Sequence, residues 1–215
     1  MALEEERRSL FDRIRSDVSD HRVVDAMMAV SREKFLPETS ANLAYDDTAL
    51  PIGEGQTISQ PYIVALMLTA LEVRPTDSVL EVGTGSGYQA AVLARLARAV
   101  TSVERVAALA ESARSRLASL GVPNVTVHLA GASLGWPAGA PYNGIVIAAA
   151  APRLPRDLID QLKTGGRLVV PVGSREQQEL MKITRTSEGF SAKTLGSCRF
   201  VPLFGEGGWE DIEAP

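Results

Sequence analysis

The sequence has few of the residues that cross-link small proteins or bind metals. Among its 215 residues there is one cysteine, Cys198, and there are two histidines, His21 and His128. A single cysteine cannot form an internal disulfide, and two histidines far apart in sequence do not give the spacing of a zinc site. The sequence therefore predicts neither a disulfide-stabilised fold nor a metalloprotein.

An excess of one charge and long apolar runs are also lacking. The formal net charge is −4, which gives the whole molecule no attraction for nucleic acid or for anionic lipid. No uninterrupted apolar stretch reaches the roughly 20 residues that span a bilayer, and the N-terminus is charged where a secretory signal needs an apolar core. We expect a cytoplasmic protein with no nucleic-acid or membrane partner.

The pattern of apolar residues predicts an α/β fold. Residues 3–30 have helical spacing with a break near Asp20, and residues 36–60 are rich in turn formers. Ser59 occupies the N-cap position of a further helix that begins near Pro61. From residue 78 to 172, apolar strands alternate with amphipathic helices, which is typical of a mostly parallel sheet with helices on both faces. Segments 180–186 and 198–204 predict an antiparallel pair added to its edge. The predicted strands are 78–82, 100–104, 124–129, 144–148 and 166–172, and the predicted helices are 87–98, 106–120 and 155–163.

Three alternating glycines, Gly83, Gly85 and Gly87, follow the first strand of this region, and Glu104 ends the next strand. Glycine is needed where a chain turns sharply and where a ligand approaches the backbone, and an acidic residue at the next strand end suits ribose hydroxyls. The third glycine comes one residue earlier than in the dinucleotide fingerprint, which disfavours a Rossmann-type oxidoreductase. The spacing indicates S-adenosylmethionine instead, with a simple tight turn as the alternative.

Longer motifs make a family resemblance specific. The chain resembles the protein-L-isoaspartate (D-aspartate) O-methyltransferase family over roughly residues 22–209. The segments that carry the resemblance are 32–37, 45–62, 79–94, 149–152, 161–173 and 199–203, and the Gly-Gln-Thr-Ile-Ser block at 55–59 is the most specific of them. The resemblance implies a Rossmann-like class I methyltransferase fold with N-terminal helices and C-terminal antiparallel strands.

The resemblance also implies an activity and a set of site residues. The activity is S-adenosylmethionine-dependent methylation of the carboxylate of L-isoaspartyl residues in damaged proteins or peptides, after which the ester closes to a succinimide. The implied catalytic residue is Ser59. The implied cofactor-binding residues are Gln56, Thr57, Ile58, Ser59, Glu81, Gly83, Thr84, Gly85, Ser86, Gly87, Glu104, Arg105, Gly131 and Ala132. The implied substrate-binding residues are Asp47, Ile52, Arg199, Val201 and Leu203.

Some positions depart from the family pattern. Where the family usually has Gly-Asp-Gly, with an aspartate that binds the adenine amino group, this chain has Ala130-Gly131-Ala132. Two further polar positions are Asn143 and Ala148 here. These losses keep two alternatives open: a specialised carboxyl methyltransferase that acts on an aspartate of a biosynthetic peptide, and an inactive relative that serves as a scaffold.

The expected organisation is one monomeric domain over residues 1–215. Residues 1–60 would form N-terminal helices and an active-site loop, residues 61–175 a cofactor-binding core, and residues 176–215 C-terminal strands and a tail. His128, in an apolar strand, is expected to be a structural histidine and not a catalyst.

Overall fold

The computed structural model describes residues 2–205 and 207–210. The helices are α1 (Ala2–Asp17), α2 (His21–Met28), α3 (Pro61–Leu71), α4 (Tyr88–Leu93), α5 (Ala107–Ser119) and α6 (Arg156–Asp160). The strands are β1 (Leu50–Gly53), β2 (Gln56–Ile58), β3 (Ser78–Val82), β4 (Ala99–Glu104), β5 (Val125–Leu129), β6 (Tyr142–Ile147), β7 (Leu162–Gly173), β8 (Gln178–Arg185) and β9 (Phe190–Cys198). Within these described residues no helix is long and apolar enough to cross a bilayer.

Seven strands form one sheet in the order β5-β4-β3-β6-β7-β8-β9, and β1 and β2 form a separate antiparallel hairpin. The five strands β3 to β7 run parallel, whereas β8 and β9 are antiparallel additions at one edge. The predicted fold class is confirmed. Because β3 pairs with β4 on one side and with β6 on the other, the strand order reverses beside β3, and the ends of the strands there leave a crevice.

The parallel strands are apolar on both faces, so the sheet separates two hydrophobic layers. Val79, Val146 and Val169 point into the layer that contains helices α1 to α4. Their neighbours Leu80 and Ile145 point into the opposite layer, which contains α6. This alternation follows from the two-residue period of a strand, and it explains why the strands are recognisable in the sequence as continuous apolar runs.

Two helices are shorter than the periodicity predicts. Helix α4 ends at Leu93 and not near residue 98, because the side-chain amide of Asn124 takes up the carbonyl groups of Ala94 and Ala97 at 2.9 and 3.2 Å. Helix α6 ends at Asp160, and β7 begins two residues later, at Leu162. In both places tertiary hydrogen bonds and strand pairing replace the next helical turn.

The prediction for the second strand of the C-terminal pair is wrong. This strand is Phe190–Cys198, not residues 198–204, because β8 and β9 meet through a short turn after Arg185. Most residues of β9 are exposed, so this edge strand has no buried face and no apolar alternation to reveal it. Residues 199–204 instead cross the carboxyl end of the sheet, where Pro202 bridges to Ala150.

Candidate active site

A cavity lies at the carboxyl ends of β3, β4, β5 and β6, where the sheet order reverses. Its non-atom space is about 1080 Å³, including the opening to solvent. We call it the strand-end cavity. The residues that line it are Gln56, Thr57, Ile58, Ser59, Val64, Val82, Gly83, Thr84, Gly85, Ser86, Tyr88, Gln89, Val103, Glu104, Arg105, Ala130, Gly131, Ala132, Ser133, Leu134, Gly135, Ala148, Ala149, Val201, Pro202, Leu203, Phe204 and Gly205.

The glycine loop forms one wall of this cavity. Gly85 has φ +52°, in the left-handed region that favours glycine, and a Cβ there would lie 3.4 Å from Cδ1 of Ile52. The β1–β2 hairpin therefore reaches over the loop through Ile52. Gly87 has a different role, because a Cβ at this position would contact Ala113 and Leu117 of α5. Gly87 permits close packing of the loop on a helix and does not line the cavity.

The carboxylate of Glu104 joins the loop to the end of β4. Its Oε2 accepts a hydrogen bond from the backbone amide of Gly85 at 2.8 Å, and its Oε1 accepts one from the amide of Val106 at 2.9 Å. The side chain is buried but faces the cavity. Each carboxylate oxygen has two lone pairs, so each can accept one further hydrogen bond from a ligand hydroxyl.

A buried chain of hydrogen bonds supports the loop from below. Ser102 donates to Oε2 of Glu81 at 2.5 Å, and the hydroxyls of Ser102 and Thr84 are 2.6 Å apart. Glu81 is fully buried and lies behind the cavity wall. Burial raises the pKa of its carboxyl to about 8, hydrogen bonds from Ser102 and Gln89 oppose this shift, and the negative charge of Glu104 adds to it. Glu81 thus holds the loop through Ser102 and Thr84.

The far end of the cavity is formed by residues 130–135, after β5. Ala130, Gly131 and Ala132 offer only backbone polar groups, and Ser133 provides the one polar side chain of this stretch. The buried side chain of Gln161 holds the end of this segment in place, because it donates to the carbonyl of Leu134 at 2.8 Å and accepts from the amide of Trp136 at 3.0 Å.

His128 helps to hold the same segment. Its ring stacks on Trp136 with centroids 3.9 Å apart and an angle of 14° between the rings. Burial, together with the positive charge of Arg114, lowers the pKa of His128 below its ordinary value. The histidine does not line the cavity, in keeping with the structural role expected for it.

A second depression adjoins the first. Its non-atom space is about 1390 Å³ including its wide opening. We call it the arginine groove. It is lined by Asp47, Thr48, Ala49, Thr57, Ser59, Gln60, Ile63, Ala148, Arg175, Ser197, Cys198, Arg199, Phe200, Val201 and Pro202. Five residues line both spaces, and Thr57 and Ser59 are the two with hydroxyl groups. Ser59 therefore lies where the strand-end cavity opens into the arginine groove.

The prediction that Ser59 caps α3 is wrong. The N-cap residue is Gln60, and its own side chain makes no capping bond. Asp47 performs the capping from the preceding loop: its Oδ1 accepts from the amide of Tyr62 at 2.9 Å, and its Oδ2 accepts from the side chain of Gln60 at 3.1 Å. Within the described part of the chain the Ser59 hydroxyl has no hydrogen-bond partner, so it is available to a ligand.

The fold brings most of the predicted site residues together. All predicted cofactor-binding residues except Glu81 and Gly87 line the strand-end cavity. Of the predicted substrate-binding residues, Asp47, Arg199 and Val201 line the arginine groove, Leu203 lines the strand-end cavity, and Ile52 lines neither. These roles remain predictions.

Sequence reasoning missed several lining residues: Tyr88, Gln89, Leu134 and Phe204. Gln89 carried a usable signal, because it is a buried polar residue within the apolar helix that follows the glycine loop. Phe204 carried none. Its ring lies 4.7 Å from the guanidinium of Arg105, a contact that only the tertiary structure creates.

Comparisons with known proteins agree with this architecture. The family model described as Protein-L-isoaspartate(D-aspartate) O-methyltransferase (PCMT) matches residues 5–208. The chain is 54% identical over 198 residues to a protein-L-isoaspartate O-methyltransferase of Rhodopseudomonas palustris, with 91% of both chains covered. It is 50% identical over 198 residues to the enzyme of that name from Methanoculleus marisnigri, with 92% of this chain and 90% of the relative covered.

Solved structures give the same result. A protein-L-isoaspartate O-methyltransferase superposes with TM-score 0.85 at 29% identity and covers 94% of this chain and 67% of its own. A Plasmodium falciparum protein of this family, in complex with S-adenosyl-L-homocysteine, superposes with TM-score 0.77 at 26% identity and covers 90% of this chain and 95% of its own. With the family model matched over nearly its whole length, the chain belongs to the protein-L-isoaspartate(D-aspartate) O-methyltransferase family.

Proposed function

We propose that this protein transfers the methyl group of S-adenosylmethionine to the carboxylate of L-isoaspartyl residues in damaged proteins or peptides, as a step in their repair. One observation carries the proposal: Ser59 lines both the strand-end cavity and the arginine groove. A methyl donor in the cavity and a carboxylate in the groove would meet at this residue. The substrate class comes from the names of the relatives, whose alignments cover about nine-tenths of the chain.

The strand-end cavity suits S-adenosylmethionine. Gly85 allows close approach to the backbone, and Glu104 offers two acceptor oxygens at the position of a ribose. Gln89 also lines this cavity, where its side-chain amide can bind the amino-acid end of the cofactor. Leu134 and Leu203 provide apolar cover. When bound, the cofactor supplies an electrophilic methyl group on a positively charged sulfur.

The residues around Ser59 have a modest chemical task. An isoaspartyl carboxylate is already ionised at neutral pH, so no general base is required. What the protein must supply is orientation and exclusion of water. The Ser59 hydroxyl can donate a hydrogen bond to one carboxylate oxygen and leave the other free, while Ile52 and the β1–β2 hairpin cover the loop beside it.

The adenine end of the cavity would be the end formed by residues 130–135. No carboxylate lies at residues 130–133, where only Ser133 has a polar side chain. A hydrogen bond to a charged acceptor contributes about 1.5 to 3 kcal/mol. We therefore expect cofactor binding to depend on the ribose and amino-acid ends, with the adenine held by backbone groups, Ser133 and apolar contacts.

A methyl-ester assay tests the proposal. The protein is incubated with radiolabelled S-adenosylmethionine and an isoaspartyl peptide, and the same peptide with a normal aspartyl residue is the control. We expect base-labile methyl ester on the isoaspartyl peptide only. Equal labelling of both peptides, or of neither, would contradict the repair function.

Calorimetry with S-adenosylhomocysteine separates the two alternatives. Binding without activity on isoaspartyl peptides would indicate a specialised carboxyl methyltransferase of the same fold. Absence of binding would indicate a scaffold protein. We further propose that the chain acts as a monomeric single domain, which light scattering on the purified protein can test.

A further inference from the structure

The arginine groove has an uneven distribution of charge. Three charged side chains line it: one carboxylate, Asp47, and two guanidinium groups, Arg175 and Arg199. Both oxygens of Asp47 already accept hydrogen bonds, from Tyr62 and Gln60. The carboxylate of Asp47 is thus already hydrogen-bonded at the start of α3. No other carboxylate of the described residues lines the groove to pair with the two guanidinium groups.

The two arginines are exposed and have no acidic partner in the described ranges, 2–205 and 207–210. The guanidinium of Arg175 lies 5.1 Å from the ring centroid of Trp209, which holds it beside the groove without neutralising it. The carboxylate of the adjacent Glu176 accepts a hydrogen bond from Ser174 at 2.9 Å, and Glu176 does not line the groove. A protein with a net charge of −4 therefore presents at this one place two cations that have no acidic partner among the residues the structure describes.

This arrangement bears on which damaged segments would bind. Resting on the proposed function, we propose that the groove selects isoaspartyl segments that carry acidic residues next to the isoaspartyl residue. Arg175 and Arg199 would pair with carboxylates that flank the residue presented to Ser59. Arginine suits this task, because its planar guanidinium binds carboxylates in a bidentate manner.

The same charges would favour release of the product. Methylation converts the isoaspartyl carboxylate into a neutral ester, so the attraction between the segment and the groove falls after the reaction. A flanking carboxylate is unchanged by the reaction and contributes equally before and after it. The selection is therefore expected in the KM for the peptide, with little change in kcat.

The test uses three isoaspartyl peptides of equal length that differ only in the flanking residues, which are glutamate, glutamine or lysine. For the wild-type protein we expect kcat/KM to be about threefold or more higher for the glutamate peptide than for the glutamine peptide, since exposed ion pairs have effects of this order. The lysine peptide should be the poorest. The ratio should shrink at high salt, because exposed charges are screened.

Two variants locate the effect. Arg175→Gln should lower the glutamate-to-glutamine ratio of kcat/KM towards one, with the remaining preference due to Arg199. Arg95→Gln is the matched control, since it removes the same charge from an exposed arginine that lines a separate cleft beside α2 and α5. The control should keep the wild-type ratio.

The outcomes separate this inference from the proposed function. If no isoaspartyl peptide is methylated, the proposed function fails. If all three peptides are methylated with equal kcat/KM, the function stands and the selection of acidic segments is wrong. If Arg175→Gln keeps the full wild-type ratio of kcat/KM between the glutamate and glutamine peptides, the preference does not come from this groove and the proposal is overturned.

Discussion

The carboxylate of Asp47 accepts a hydrogen bond from the backbone amide of Tyr62, in the first turn of α3, at 2.9 Å. This bond ties the loop before the β1–β2 hairpin to the helix after it. Ser59 lies between the two tied points in sequence, at the junction of the strand-end cavity and the arginine groove. The position of the Ser59 hydroxyl thus depends on a carboxylate twelve residues earlier in the chain.

Asp47→Ala should lower both stability and turnover. Loss of a helix cap costs about 1 kcal/mol, and we expect a decrease of that size in the free energy of unfolding measured with urea. Turnover should fall as well, because the segment that holds Ser59 loses its anchor. Asp46→Ala is the control, since the exposed Asp46 makes no side-chain hydrogen bond within the described residues and should behave like the wild type. Equal stability of the two variants would contradict the capping role.

Ser59→Ala should change turnover alone. The hydroxyl caps no helix, so we expect an unchanged thermal midpoint, an unchanged affinity for S-adenosylhomocysteine and a lower kcat. A drop in melting temperature would show a structural role for Ser59, and an unchanged kcat would remove it from the reaction. Ser191→Ala, on the exposed edge strand β9, is the matched control.

Glu104→Gln should weaken cofactor binding. The amide group of glutamine replaces one acceptor oxygen by a donor, which would face the backbone amide of either Gly85 or Val106. Loss of a hydrogen bond to a charged group costs about 1.5 to 3 kcal/mol, so we expect about a tenfold or greater rise in Kd for S-adenosylhomocysteine by calorimetry. Glu111→Gln, on the exposed face of α5, should bind normally. A wild-type Kd for Glu104→Gln would exclude Glu104 from the ribose site.

Glu81→Gln should change how stability depends on pH. Burial raises the pKa of Glu81 from its ordinary value of 4.5 to about 8. Between these values the folded chain holds a proton that the unfolded chain has lost, so wild-type stability falls as pH rises through this window. Glutamine cannot ionise and avoids this loss.

The measurement is urea unfolding of Glu81→Gln and the wild type at pH 5.5 and pH 8. We expect the free energy of unfolding of the variant, relative to the wild type, to be greater at the higher pH. The same comparison with Glu111→Gln corrects for general charge effects, because Glu111 is exposed. A difference that does not vary with pH would show that Glu81 ionises normally in the folded protein.

The central strands, and the helices that alternate with them, could be predicted because their sequence signal is local. Strand β3 has the bounds that the apolar pattern predicts, since a buried parallel strand is apolar on both faces. The edge strand β9 could not be located in this way, because both of its faces are largely solvated. The last strand was therefore misplaced onto residues 198–204, and the apolar side chains of residues 200–203 pack over the end of the sheet instead.

The sequence by itself determined the fold class, the family and the chemistry at the glycine loop, because strand periodicity, glycine spacing and the Gly-Gln-Thr-Ile-Ser block are local features of the chain. Only the tertiary structure decided which of these groups already take part in hydrogen bonds or packing contacts within the protein. In that structure Asp47 caps helix α3, and the Ser59 hydroxyl has no hydrogen-bond partner among the described residues. Gly87 and Glu81 lie behind the cavity wall, and Arg175 lines the arginine groove. These facts depend on hydrogen bonds and contacts between distant segments, which a one-dimensional pattern does not contain.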